Sequence, residues 1–329
     1  MMPKDQAGYT IRDADAAPED TKPSLRLVTA AELLTMKVPV RQMALAPILP
    51  QPGLSMLYAP RGMGKTHVAL SLAYAMASGG KALRWQAPQP RRVVHVDGEM
   101  PAGALQERLA QIVRGAGYTP PADDFLRFLA ADLMPDGLSS IARPEVQAAL
   151  DAATEDAEVL ILDNLSTLAG GLRENEADDW EPVQQWLPSQ RRRGKHVLVI
   201  HHAGKSAQQR GTSRREDVLD TVIALRRPSD YEPEQGARFE VHLEKARGIL
   251  GADTAPFEAR LVKAEGGGVT WAIADLKDAQ RDRAEELLAE GMSVRDIAEE
   301  TGMSKSAVHR IKMTRDKRDS TPEPADGRG

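Results

Sequence analysis

The 329-residue chain contains no cysteine and is poor in aromatic residues, which make up 4% of it. The first absence excludes disulfides and thiolate metal sites, so any fold must be held by its core and any metal by oxygen or imidazole ligands. A run of apolar residues long enough to span a bilayer is also missing. The first residues, Met1 to Pro23, are polar and acidic and have no signal-peptide character. A cytoplasmic protein without membrane association is expected. Charge of one sign is lacking too: 43 Lys and Arg stand against 48 Asp and Glu. Any nucleic-acid surface must therefore be local.

Against these absences, Ala59-Pro-Arg-Gly-Met-Gly-Lys-Thr66 stands out. It follows an apolar, strand-like run (Leu54 to Tyr58) and opens an Ala/Leu-rich helical run (His67 to Ala77). Strand, glycine-rich turn and helix form the setting a phosphate-binding loop requires. The loop Ala59, Pro60, Arg61, Gly62, Met63 and Gly64 would cradle the phosphates of ATP with its backbone N–H groups, with Lys65 as a mobile charge and the Thr66 hydroxyl on Mg²⁺. Ala59 occupies the place of the usual first glycine. Gly62 and Gly64 still permit close backbone approach to a phosphate.

From this loop onward, strand and helix patterns alternate: strands at Arg92 to Val96, Phe125 to Ala130, Glu158 to Asp163, Lys195 to His201 and Val218 to Leu225, with helices between them. The alternation predicts an α/β fold with a mostly parallel sheet covered on both faces. Arg238 to Trp271 reads as short strands with Gly-rich turns, an antiparallel edge. The expected organisation is a disordered arm over 1–28, an ATPase domain over 29–274, a small all-α helix-turn-helix unit over 275–318 and a disordered tail over 319–329. After the arm comes a short amphipathic piece, Thr29-Ala-Ala-Glu-Leu-Leu; a proline-punctuated lead (Pro39, Pro47, Pro50, Pro52) follows.

Two apolar runs end in acids. Val159-Leu-Ile-Leu-Asp163 places Asp163 at the carboxyl edge of a central strand, where open α/β sheets bind ligands. Its expected role is to hold Mg²⁺ with Thr66, directly or through water; a helix-capping aspartate is the plainer alternative. Val93-Val-His-Val-Asp-Gly-Glu99 supplies Glu99 as the general base that polarises the attacking water, while Asp97 competes for that role and reads as structural. A third run ends at Ile200-His-His-Ala-Gly-Lys205, making His202, or His201, a sensor of the γ-phosphate. A metal site on this His pair is disfavoured, because adjacent strand residues point to opposite faces.

These segments together, with Arg210-Gly-Thr-Ser213, resemble the RecA-like AAA family ATPases of the RepA type, hexameric replicative helicases of plasmids and phages. The similarity spans roughly residues 30–265. It implies a RecA-like P-loop core in a homo-oligomeric ring, a hexamer, with Glu99 as catalytic glutamate and Arg210 as an arginine finger reaching the neighbouring subunit's nucleotide. Lys245 and Arg247 look like a second basic finger; a solvated basic edge is the plain alternative. Single-stranded DNA would occupy the ring channel, lined by 169–177 and 203–215 with Lys205, Arg214 and Arg215 on the phosphates. The helicase reading competes, among enzymes, with a recombination or loading ATPase that does not unwind, and outside them with a nucleotide-switched DNA-binding regulator.

Residues 279–313 carry a separate pattern. Ala284, Leu287 and Leu288 mark one helix, stopped by Gly291; Ser293 caps a second, with Val294, Ile297 and Ala298 inward; Ser304 caps a third, with Val308 and Ile311 inward. Gly302 suits the left-handed turn between the last two. The third helix would present Lys305, His309, Arg310 and Lys312 to duplex DNA. A three-helix protein-docking module is the alternative.

Overall fold

The computed structural model describes residues 26–38, 40–170, 177–203 and 218–319. Two units emerge, one within Met1–Val40 and one comprising Arg41–Gly329. In the first, α1 (Ala30–Thr35) starts at a capping box, in which Thr29 Oγ1 accepts from the Glu32 N–H and the Glu32 carboxylate accepts from the Thr29 N–H.

In the second, the proline-punctuated lead forms an antiparallel pair, β1 (Gln42–Leu45) and β2 (Leu49–Gln51). Pro50 falls within β2; the pair is short and forms a sheet of its own, where proline's missing N–H is tolerated. The phosphate-loop strand β3 (Gly53–Ala59) leads to α2 (Lys65–Ser78), after which β4 (Lys81–Ala82) and β5 (Trp85–Gln86) make a minimal hairpin. Next come β6 (Val93–Asp97), α3 (Ala102–Gly115), β7 (Leu126–Ala130), α4 (Pro144–Ala153), β8 (Val159–Asp163), α5 (Leu165–Leu168), α6 (Ala177–Arg192), β9 (His196–His202) and β10 (Thr221–Arg226). Then β11 (Arg238–Ala246), β12 (Phe257–Lys263) and β13 (Val269–Asp275) close the sheet.

The nine strands lie in the order β13-β12-β11-β10-β3-β9-β8-β6-β7. The six from β10 to β7 pair in parallel, and β11 to β13 add an antiparallel edge. Both the parallel core and the antiparallel edge follow the sequence pattern. Alternation along each strand divides the core between two faces: Leu57, Ile161 and Leu198 pack on one side, Met56, Leu162 and Val199 on the other. Such two-sided burial is why the central strands read as continuous apolar runs. The carboxyl ends of β3, β6, β8 and β9 all reach one edge of the sheet.

The chain passes from β13 directly into α7 (Leu276–Ala289), followed by α8 (Val294–Thr301) and α9 (Lys305–Asp319). Asp275 is the N-cap of α7, and the charged residues up to Arg283 lie in its first turns. Ala284, Leu287, Ile297, Ala298 and Val308 form a separate small core. Ser293 Oγ accepts from the Asp296 N–H and Ser304 Oγ from the Ala307 N–H, while Gly302 takes φ 68°. Among the described residues no helix is long and apolar enough to cross a membrane.

Candidate functional site

A cavity of about 500 Å³ opens at the carboxyl edge of the parallel strands, bounded by the glycine loop, the ends of β6, β8 and β9, and Ala237. Gly62 and Gly64 carry φ of 73° and 93°. An added Cβ on Gly62 would meet nothing, so conformation alone selects glycine there. At Gly64 the Cβ would also come within 3.2 Å of Ala237 Cβ. Ala59 is the last residue of β3 and pairs with His202. Its backbone is not left-handed, which explains why a methyl fits where glycine is usual. Gly64 caps α2 without a side chain. The first N–H groups of this 14-residue helix therefore remain for an anion, with the positive end of the helix behind them.

Lys65 is 6% exposed, and its ammonium donates to the carbonyls of Ala59 and Pro60, both at 2.9 Å. Burial pulls its pKa down to about 8, against the attraction of Asp163 and Glu99. The Thr66 side chain faces Asp163. That carboxylate is 4% exposed with Oδ2 unpartnered, and burial pushes its pKa up to about 6, opposed by His95 and augmented by Asp97. The cap of the following helix is Asn164, whose Oδ1 accepts from the Thr167 N–H at 3.1 Å. Asp163 is thus left facing the cavity rather than serving as a cap. A buried carboxylate oxygen without a partner, beside a hydroxyl and a glycine loop with uncapped N–H groups, fits a divalent cation carried by a polyphosphate.

Asp97 has a different part. Its Oδ1 accepts from the N–H groups of Glu99 and Met100 at 2.9 and 2.6 Å. Burial works against its charge, yet the His95 ring and these two N–H groups hold it below the ordinary carboxylate range. The tight turn so formed projects Glu99 to the cavity. Asn164 Nδ2 donates to Glu99 Oε2, and His202 Nε2 lies 3.6 Å from the same oxygen. Burial first, then Lys65, lowers the pKa of His202. His201, its neighbour, is buried and does not line the cavity, as alternation along β9 requires.

Several residues at this site escape the motif reading. His95 is fully buried, with neither ring nitrogen hydrogen-bonded and Nε2 3.8 Å from both Asp97 Oδ2 and Asp163 Oδ2. The spacing of His95 and Asp97, two apart on one strand, was the available signal. Asn164 follows Asp163 directly. Arg108, from α3, also lines the cavity, and its charge adds to burial in lowering the pKa of His67 to about 4.

Lys245 and Arg247 are elsewhere. Lys245 pairs with Val222, and β11 runs antiparallel to β10, so both residues sit toward the amino-terminal edge of the parallel strands, opposite the cavity. They do not line this cavity. Arg210, Lys205, Arg214 and Arg215 lie outside the described residues. On α9, Lys305, His309, Arg310 and Lys312 are all exposed.

Residues 19–208 match the family described as AAA domain, and residues 275–315 match the helix-turn-helix domain of resolvase. No curated protein matches the chain. Among solved structures, a KaiC-like protein from the hyperthermophilic archaeon Pyrococcus horikoshii aligns at 15% identity and a TM-score of 0.47, covering 68% of this chain and 91% of that one. The RadB recombinase aligns at 18% identity and a TM-score of 0.45, with the same coverages of 68% and 91%.

Proposed function

Because the chain belongs to the AAA domain family, we propose that it is a Mg-ATP-hydrolysing DNA motor, a RepA-like hexameric replicative helicase of a plasmid, phage or mobile element. One observation carries the ATPase part. Lys65, Thr66, Asp163 and Glu99, from three segments of the chain, converge on one cavity at an uncapped helix N-terminus.

Each group has a separable task. The loop N–H groups and Lys65 bind the β- and γ-phosphates. Thr66 and Asp163 hold Mg²⁺, which neutralises charge on the phosphates when bound. Glu99, aimed by Asn164 and the Asp97-capped turn, takes the proton of the attacking water. His202, which lines the cavity 3.6 Å from Glu99 Oε2, is the sensor of the γ-phosphate. Arg210 supplies the guanidinium that stabilises the transition state in the neighbouring subunit, a contribution of about 10³ to 10⁵ in rate in well-studied NTPases. Hydrolysis then requires assembly. Lys245 and Arg247 sit away from the cavity of their own chain, so any nucleotide they serve is a neighbour's.

DNA enters in two places. Lys205, Arg214 and Arg215 contact the phosphates of a single strand in the ring channel, and the exposed cations of α9 contact duplex phosphates. The helix-turn-helix itself favours a second reading, a regulator in which nucleotide switches DNA binding. A forked duplex with Mg-ATP separates the two: the motor displaces the strand, whereas DNA-stimulated hydrolysis without displacement refutes the helicase and leaves a loading factor or regulator.

A further inference from the structure

Between β10 and β11 lies a loop, residues 227–237, that touches both proposed sites. Arg227 is its first residue. Its Nη2 donates to the Gly62 carbonyl of the glycine loop at 3.0 Å, and its Nη1 donates to the carbonyls of Arg238 at 3.1 Å and Gly236 at 3.3 Å. The guanidinium also lies 3.6 Å over the Tyr231 ring, whose hydroxyl donates to Gly236 O at 3.0 Å. One planar cation therefore fastens both ends of the loop to the turn that cradles phosphate. The Gly62 carbonyl and the Met63 N–H belong to one rigid peptide plane and point opposite ways. Holding the carbonyl fixes where that N–H points. Ala237, near the loop's far end, lines the cavity beside Gly64.

The same loop holds the helix-turn-helix. Ser229 Oγ donates to the Glu300 carbonyl of α8. Asp230 accepts from Arg238 Nη1 at 3.1 Å, and its Oδ2 lies 3.6 Å from Arg283 Nε of α7. Arg283 in turn pairs with Glu300 at 2.9 Å, and Arg238 with Glu258 at 2.9 Å. The Asp230, Arg238 and Glu258 side chains are at most 14% exposed. Arg283 and Glu300, which carry the contact to α7 and α8, are half-buried at 31% and 28% exposed, between exposed pairs that contribute little and buried networks whose members are interdependent.

We infer that Arg227 is a positioning residue for the glycine loop and that the 227–237 loop links nucleotide occupancy to duplex binding by α7–α9. A phosphate that reorients the Gly62–Met63 peptide changes what Arg227 can hold, and the loop it anchors is the one that seats Glu300 and Arg283. The inference rests on the nucleotide and duplex sites proposed above. Linkage makes it quantitative: nucleotide must change duplex affinity by the factor by which duplex changes nucleotide affinity.

The test uses the full chain, a non-hydrolysable ATP analogue with Mg²⁺, and a random-sequence duplex. Each affinity is measured with and without the other ligand at saturation. Equal factors of about 5-fold or more in both directions are expected. Asp230→Asn and Arg283→Gln should leave each ligand's separate affinity unchanged and bring the factor close to one, with the double variant no worse than either single one. Arg227→Lys, which keeps the charge but cannot bridge three carbonyls, should lose the coupling together with part of the nucleotide affinity. Hydrogen exchange on the unmodified chain guards against misfolded variants: nucleotide alone should alter protection at 283–301. If both ligands bind with no mutual effect and exchange there is unmoved, the linkage is wrong and the two sites stand. If either ligand fails to bind, the site reading falls and the linkage with it.

Discussion

Glu99 and Lys65 line one cavity and are proposed to do different work there, so their substitutions should separate. Lys65→Ala removes the charge proposed to reach the phosphates and should abolish nucleotide binding. Glu99→Gln keeps an oxygen to accept from Asn164 but cannot take up a proton. It should bind Mg-ATP normally and hydrolyse it about 10²- to 10⁴-fold more slowly. Equilibrium binding and steady-state turnover on both variants check this; normal turnover in Glu99→Gln would move the base to another group, Asp97 first. Away from the site, His196 offers a clean pH effect. Its ring is fully buried, Nδ1 donates to Pro50 O at 2.7 Å, and burial lowers its pKa to about 4. Below the unfolded value of 6.5 the unfolded chain binds a proton that the folded chain refuses, so stability is full above that pH and declines as it falls toward 4. The decline attributable to this group between pH 7 and pH 5 is about 2 kcal/mol. His196→Asn keeps a donor for Pro50 O and should lack this increment, measured as the difference in urea midpoints at the two pH values. The motif residues were legible because their chemistry is local in sequence. His95 and Arg227 were not, since what each does depends on partners across the fold; Arg227 and Gly62 are 165 residues apart.

The helix that follows Glu99 packs Leu105 and Ile112 against Leu70 and Tyr74, and glycines set how closely its far end approaches β13. An added Cβ on Gly115, at the end of α3, would lie 2.0 Å from Val269 O, and one on Gly268 would lie 2.1 Å from Gly115 N. Backbone meets backbone there, and neither atom can turn aside. Gly115→Ala or Gly268→Ala should therefore destabilise the chain by about 1–3 kcal/mol. Gly103, near the start of the same helix, has open space around it. Gly103→Ala should raise stability by about 0.5–1 kcal/mol, because alanine loses less backbone entropy in a helix. Urea unfolding of the three variants gives the comparison, and equal destabilisation at Gly103 and Gly115 would show that α3 is not docked on β13 as described. The central strands Val93–Asp97 and Val159–Asp163 are buried at every residue, and so they were readable as apolar runs ending in acids. Strand order was less accessible. That β10 pairs with β3, carrying the 227–237 loop to the phosphate turn, is set by tertiary register that no local period encodes. Likewise the partner of Arg283 was not legible, because Asp230 lies far back in the chain.

At the scale of the whole molecule, a net charge of −5 must be reconciled with the two proposed DNA surfaces, and the chain concentrates cations where each is proposed. If the core is the motor and α7–α9 the docking unit, the two should be removable separately. Truncation after Ala274 takes away the helices and Arg283, the α7 partner of Asp230, but leaves Arg238 its second carboxylate, Glu258. The truncated chain should fold, hydrolyse ATP and respond to single strands while binding duplex only weakly. Changing Lys205, Arg214 and Arg215 to Ala should do the reverse, removing stimulation by single strands while duplex binding persists. Salt distinguishes true phosphate pairing from indirect damage. Every phosphate neutralised by the protein adds about 0.9 to the slope of log affinity against log salt on duplex and about 0.7 on single strands. Lys305→Ala, Arg310→Ala and Lys312→Ala should therefore reduce the duplex slope stepwise, and the loop substitutions should reduce only the single-strand slope. A truncated chain that keeps full duplex affinity would assign duplex binding to the core and make α7–α9 a protein-docking module, with the exposed cations of α9 merely solvated.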